Sequence, residues 1–339
     1  MKDRREFLKS AATGAAILGS SAATSKLGFA AMLSQPAASA KSRVVIATDA
    51  NLQGTAGSPD EQRVLALLDK AMAAYTGREK PVEAWKHAIP ANILAGGVIG
   101  LKVNGLGGRG ISTHAELVHA ICERLQQAGV AAGNIVVWDR TARDLQACGL
   151  TVNTDKSHGV RVYGNDVAGY EEQPESFGVA RISLSKILTR ECAMVINLPI
   201  LKDHEIAGVT LAMKNMYGVV DKPFTLHAGN CNPGVADLNC IPAIRQKVTL
   251  TIGDAMKSVY DGGPSFHPER VWYPNAIIVG EDKVALDHTA LQMIEKKRAE
   301  AGLPTVDAAG RPAKYIATAA DDTHRLGTND PERIHLQLV

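Results

Sequence analysis

Aromatic residues are scarce in this chain: five Phe, three Trp and seven Tyr among 339 residues. Stacking platforms for single-stranded nucleic acid are correspondingly few. A strong charge of either sign is also missing. The formal net charge is +2, and without residues 1–40, which carry five basic and two acidic side chains, it becomes −1. That balance gives no electrostatic case for nucleic acid or an anionic membrane surface as partner. No run reaches the ~20 continuous apolar residues of a spanning helix, and heptads and internal repeats are lacking. The five cysteines, Cys122, Cys148, Cys192, Cys231 and Cys240, include no C-x-x-C pair, which argues against a zinc ribbon or a ferredoxin-type cluster. Cys122 and Cys192 sit in apolar contexts and read as core thiols.

What is present begins with Arg4-Arg5-Glu6-Phe7-Leu8-Lys9, followed by weakly apolar runs at 11–23 and 27–33 and by Ala38-Ser39-Ala40. This is the pattern of a twin-arginine export signal over residues 1–40. It predicts a periplasmic or otherwise extracytoplasmic protein that is handled by the twin-arginine machinery and has no stable membrane span in its mature form. That route carries folded proteins, often with a cofactor already inserted, but the sequence does not identify one. An oxidising destination permits a disulfide. Cys231 and Cys240, which flank one loop, are one option, and an odd count leaves at least one thiol free.

The remaining ~300 residues suffice for one large or two fused α/β domains. Strands are expected at 43–48, 98–103, 135–138, 194–198, 250–254 and from 276. Helices are expected at 60–75, 114–128, 141–147, 184–189, 235–248 and 284–296, with Ser58 or Asp60 a cap for the first. Repeated strand–loop–helix steps predict an open, mainly parallel sheet flanked by helices, with a site along its carboxyl edge. Residues 41–300 read as this α/β domain, with a lobe boundary near 180 as one option, and 301–339 as an extension packed on it.

The first motif is Lys102-Val-Asn104-Gly105-Leu-Gly107-Gly108-Arg-Gly110-Ile-Ser-Thr113-His-Ala-Glu116. It combines a strand end, a glycine-rich loop and a capping box, Thr113-x-x-Glu116. Glycines at 105, 107 and 110 match G-x-G-x-x-G, and a helix start beyond them offers N–H groups to an anion. The helix begins late, and the next strand-end acid, Asp139, lies beyond the ~20 residues of a dinucleotide fingerprint. An anion cradle, a nicotinamide site and a purely structural loop all remain open.

The second motif comes after the apolar run 194–198, which Pro199 ends. Lys202 and His204 come next in a loop, then Thr210, Lys214 and Asn215 at roughly helical spacing among Val209, Leu211, Met213 and Met216. Cations and amides gathered beside one strand compose an anion or polar-ligand site. Lys102 and Asn104 at the other strand end are placed to face it. In this reading the lysines hold an anionic group, Thr210 and Asn215 orient it, and His204 or Asp139 moves a proton. Further on, His227-x3-Cys231 with Asp237 has the donor types of a metal site, against a polar loop with a capping residue.

With these residues in view, the chain resembles exported members of the domain-of-unknown-function family 362. The matching pieces are Lys102-Val-Asn104 with its glycine loop, Asn197-Leu-Pro-x-Leu-Lys202-x-His204, Gly208-Val-Thr210-x-Ala-x-Lys214-Asn215-x-x-Gly218, Ile252-Gly-Asp254 before Gly262-Gly263-Pro264, and Asp282-x-Val-Ala-Leu-Asp287. The resemblance implies a shared α/β domain. Some relatives add a ferredoxin-like module, which this chain lacks. A fainter likeness, in fold only, is to the amino-terminal lobe of lactate racemase-type enzymes. The resulting expectation is an exported protein with a cationic cleft for a small anionic ligand or cofactor, with Lys, His and Asp as acid–base groups. A non-catalytic metal- or anion-binding protein is the alternative, and an NAD(P)-dependent oxidoreductase the third reading.

Overall fold

Short apolar segments build the framework. The computed structural model, which describes residues 41–54 and 58–339, places eleven strands in one sheet. They are β1 (Ser42–Thr48), β2 (Ile99–Val103), β3 (Ile135–Trp138), β4 (Arg161–Val162), β5 (Met194–Leu198), β6 (Ile200–His204), β7 (Gly208–Thr210), β8 (Val248–Val259), β9 (Val271–Trp272), β10 (Ala276–Gly280) and β11 (Ile334–Leu338). The main order is β11-β1-β10-β8-β5-β2-β3-β4, with β9 and β6 added along β8 and β7 paired to β6. Each step from β8 through β5, β2 and β3 to β4 is parallel, and β10 is antiparallel to both its neighbours. This is the expected open, mainly parallel sheet flanked by helices. The export signal falls on residues 1–40, outside the described residues.

Both faces of the central strands are covered, so β2 and β5 are buried at every position instead of alternating. On one face Ile99, Leu101, Ile135, Val137, Ile196 and Leu198 meet apolar residues of the helices Glu61–Thr76 and Ala115–Gln127. On the other, Val136, Trp138 and Val195 join Leu286, Ala290 and Ile294 of the helix Lys283–Glu300. Acidic side chains cap two of these helices. Asp60 accepts from Arg63 N, and Asp282 accepts from Val284 N and Ala285 N, so this strand-end acid serves the helix. Residues on both sides of 180 belong to one compact unit, Lys41–Val339.

Several local expectations give way. Pro199 ends β5, but β6 begins at once and runs beside β8, with Pro199 O accepting from Asp254 N at 2.8 Å. Lys202 and His204 are therefore strand residues. The helix-like spacing after residue 208 resolves into a hairpin, in which Lys202 pairs with Thr210, and then a 3-10 turn, Lys214–Val219. Gly208, at φ 79°, supplies the backbone shape that turns the chain back. The capping box does not form, because Thr113 Oγ1 donates to Leu198 O and accepts from Asn104 N, leaving His114 at the helix start. The single helix expected over 235–248 divides into Gly234–Cys240 and Pro242–Lys247, since Pro242 has no N–H to continue the ladder. The helix expected at 184–189 is a π-type turn, Ile187–Glu191.

Candidate functional site

Parallel strands end together, so the segments that leave β2, β3 and β5 collect at one edge of the sheet. Register sets Lys102 beside Asn197 on one side and Trp138 on the other, one residue before Asp139. Lys102 Nζ lies 2.7 Å from Asp139 Oδ1 and donates to Val103 O at 2.6 Å, while Asp139 Oδ2 accepts from Gly105 N at 2.6 Å. Both side chains are buried. Burial pushes the Lys102 ammonium down, and the Asp139 charge pulls it back up. Gly218 closes over this pair: a Cβ there would stand 2.6 Å from Lys102 Nζ and 2.7 Å from Asp139 Oδ1.

Above the pair runs a chain of amides. Asn104 Nδ2 donates to Asn215 Oδ1 at 3.0 Å; Asn215 Nδ2 donates to Asn197 Oδ1 at 2.7 Å and Lys102 O at 3.2 Å; Asn197 Nδ2 donates to Ala212 O at 2.8 Å. Asn104 Oδ1 then receives Lys202 Nζ at 3.2 Å, and Ile111 O receives it at 3.3 Å. The structure thus brings Lys102, Asn104, Lys202, Asn215 and Asp139 into one buried network. Asn197 belongs to it and was missed. Its signal was a lone polar residue inside the otherwise apolar run 194–198.

Beyond Lys202 the environment changes. Lys214, 6% exposed, sets Nζ 3.5 Å from the centre of the Tyr217 ring and has no ion-pair or hydrogen-bond acceptor among the described residues. Burial lowers both Lys202 and Lys214 to about 8. His204 Nδ1 accepts from Ile206 N and Ala207 N, so its proton sits on Nε2. Burial, then Lys214, His227 and Lys202, drive its pKa down to about 2. The His227 ring stacks 6.1 Å from that of His204 and meets the Tyr217 ring edge-on at 5.2 Å. Thr210 Oγ1 is buried beside Lys202 without a partner.

Other candidates are occupied elsewhere. Gly107 N donates to Ser112 Oγ, Gly108 N to Gly105 O, and Gly107 bridges to Ile111, so the glycine loop folds on itself. Thr113 is consumed by the contacts that displace it from the helix cap. The His227, Cys231 and Asp237 set does not assemble: Asp237 accepts from Val179 N at 2.7 Å and pairs with His324 Nε2 at 2.8 Å. Among the described residues no group of three or more His, Cys, Asp or Glu is placed to hold a metal. All five cysteines are buried free thiols, so Cys231 and Cys240 do not bridge. A separate cavity of about 260 Å³ has Arg109, Ser112, His114, Glu116, His119 and Lys257 in its wall. Behind His114, and not itself in that wall, the fully buried Asp254 carboxylate receives His114 N at 2.8 Å and contacts His114 Nδ1 at 2.7 Å. In the sequence Asp254 stood at the end of the strand expected over 250–254 and in the Ile252-Gly-Asp254 piece of the family resemblance; the strand runs on to Val259.

A family model described as Domain of unknown function (DUF362) matches residues 99–292. No curated protein matches the chain. Among solved structures, the lactate racemase apoprotein from Thermoanaerobacterium thermosaccharolyticum is similar at 11% identity and a TM-score of 0.39, over 72% of this chain and 55% of that one. A protein from Thermotoga maritima is similar at 12% identity and a TM-score of 0.40, over 74% of this chain and 61% of that one. The chain spans less than two thirds of either.

Proposed function

The chain belongs to the DUF362 family, and from its own geometry we propose that the edge of its sheet holds a small anionic ligand between Lys202 and Lys214, with acid–base capacity supplied by those lysines and His204. One observation carries this reading: two lysines, 1% and 6% exposed, lie near one another with no carboxylate in ion-pair range among the described residues. An uncompensated buried cation is costly, and an anion arriving there recovers that cost. Asn104 and Asn215 act as spacers that aim Lys202, since their own amides are engaged. Lys102 and Asp139 neutralise each other below.

Titration calorimetry with inorganic phosphate and with acetate tests this reading on the natural protein and on Lys202→Met and Lys214→Met. Binding to the natural chain that falls at least about tenfold in either variant, a change of about 1.4 kcal/mol, supports it. Equal binding by all three folded proteins removes it. For location, we propose export by the twin-arginine route, on the strength of Arg4-Arg5 and the residues after them. Fractionation of cells making Arg4→Lys/Arg5→Lys decides: unchanged export overturns the assignment.

A further inference from the structure

Four lysines of the described chain, Lys102, Lys202, Lys214 and Lys283, are more than nine-tenths buried, and their surroundings separate them by chemistry. Lys102 is neutralised by Asp139. Lys202 spends two of its hydrogens on Asn104 Oδ1 and Ile111 O. Lys283 Nζ is sealed, with neither an acceptor nor accessible surface. Lys214 Nζ also lacks a hydrogen-bond acceptor, yet it is absent from the sealed atoms: it rests on the face of Tyr217 and keeps some accessible surface.

Two imidazoles complete the surroundings. The His204 proton lies on Nε2, because Nδ1 receives two backbone N–H groups. His227 presents the opposite tautomer: Nδ1 is 3.0 Å from Pro223 O, to which it donates, leaving the Nε2 lone pair free. Neither Nε2 has a protein partner among the described residues. A donor and an acceptor therefore stand in stacked rings beside one amine, with Tyr217 in contact with both Lys214 and His227.

We infer that Lys214 is a carbonyl-reactive amine that captures a small aldehyde carrying an acidic group as an imine, with the acidic group directed to Lys202. This deepens the anion-site reading and rests on it. In the step, the Lys214 lone pair attacks the carbonyl carbon, and a C–N bond forms as the carbonyl π pair moves to oxygen. His204 Nε2–H hydrogen-bonds to that oxygen without giving up its proton, and His227 Nε2 takes the first proton from the nitrogen and delivers it to the oxygen, so both imidazoles end as they began. The carbinolamine then loses its hydroxyl and the second nitrogen proton as one water, leaving C=N. No oxidant or reductant enters. A buried amine with no partner is the standard device for an activated lysine. The fall from 10.5 to about 8 raises its neutral fraction near neutral pH on the order of a hundredfold.

The test treats the natural protein with glyoxylate and cyanoborohydride, which reduces an imine to a stable secondary amine, and maps the product by peptide mass spectrometry. Lys222, an exposed lysine, is the internal control. The expected result is labelling of Lys214 at least about tenfold above Lys222, suppressed by inorganic phosphate. Lys214→Arg keeps a cation without a nucleophilic amine and should bind phosphate but take no label there. Labelling of Lys214 no higher than Lys222 overturns the inference. If phosphate binding still depends on Lys202, the anion site survives that outcome; if it does not, both readings fall.

Discussion

Asn104 Nδ2 donates to Asn215 Oδ1 across 3.0 Å, joining the end of β2 to the turn that carries Lys214, 111 residues later. Through this one contact, two separate segments are held in a common geometry. Each amide has a second engagement, so neither side chain is free to swing. Lys202 is consequently aimed by a neutral group and not by a counter-charge.

Replacing Asn215 with Leu removes partners from Asn104, Asn197 and Lys102 O together. Buried groups left unpaired cost about 1–3 kcal/mol each, so a net loss on the order of 3 kcal/mol is expected in urea unfolding. A loss under 1 kcal/mol would show that the amide chain is not a structural element.

Asp139→Asn strands the Lys102 cation in a dry site and should cost about 3–5 kcal/mol. The double change Lys102→Met with Asp139→Leu should recover a large part of that loss. Gly218→Ala, which intrudes on the same pair, should cost about 1–3 kcal/mol and be less harmful once Lys102 is Met. Additive losses would contradict the coupling.

A lysine whose folded pKa lies below 10.5 binds fewer protons folded than unfolded. Its burial cost is fully present below about 8 and disappears as pH rises towards 10.5. The natural protein should therefore gain stability relative to Lys214→Met between pH 8 and 10.5, by on the order of 2–3 kcal/mol. Urea midpoints at pH 7, 8.5 and 10 report this difference; a constant difference would mean that Lys214 titrates as an exposed lysine.

Burial raises the Cys122 and Cys192 thiols to about 12 and those of Cys148 and Cys240 to about 11, and it raises Cys231 as well. Since the thiolate is the reactive form, iodoacetamide at pH 8 should leave all five unmodified in the folded protein and modify all five after denaturation. Rapid native alkylation of any one would point to a local opening around it.

Periodicity read the sheet and its main helices well, because β2 and β5 are continuous apolar runs and the first helix carries its own cap in Asp60. It misread residues 208–219, where Thr210 and Lys214 fall four apart by the accident of a hairpin followed by a tight turn. Spacing cannot tell that from a helix; the φ of Gly208 decides it. The nearness of Asn104 to Lys202 was legible, as both follow parallel strands that end at one edge of the sheet, although Lys202 itself lies within β6. The Asp254–His114 contact joins residues 140 apart, and nothing local announces it. His227 was noticed for its donor type, but its partners proved to be the His204 and Tyr217 rings and Pro223 O, set by packing that no spacing encodes.

The first strand has its own consequence for how the chain is made. β1 lies between β10 and β11, with Val44 opposite Gly280 and Leu336. A nascent chain therefore carries both hydrogen-bonding edges of β1 unpaired until residue 280 has left the ribosome, although Val45 can already pack on the helix Glu61–Thr76. Contacts this distant in sequence form slowly, and an open strand edge recruits other chains. The edges of β1 close only after nearly all of the sheet has been translated.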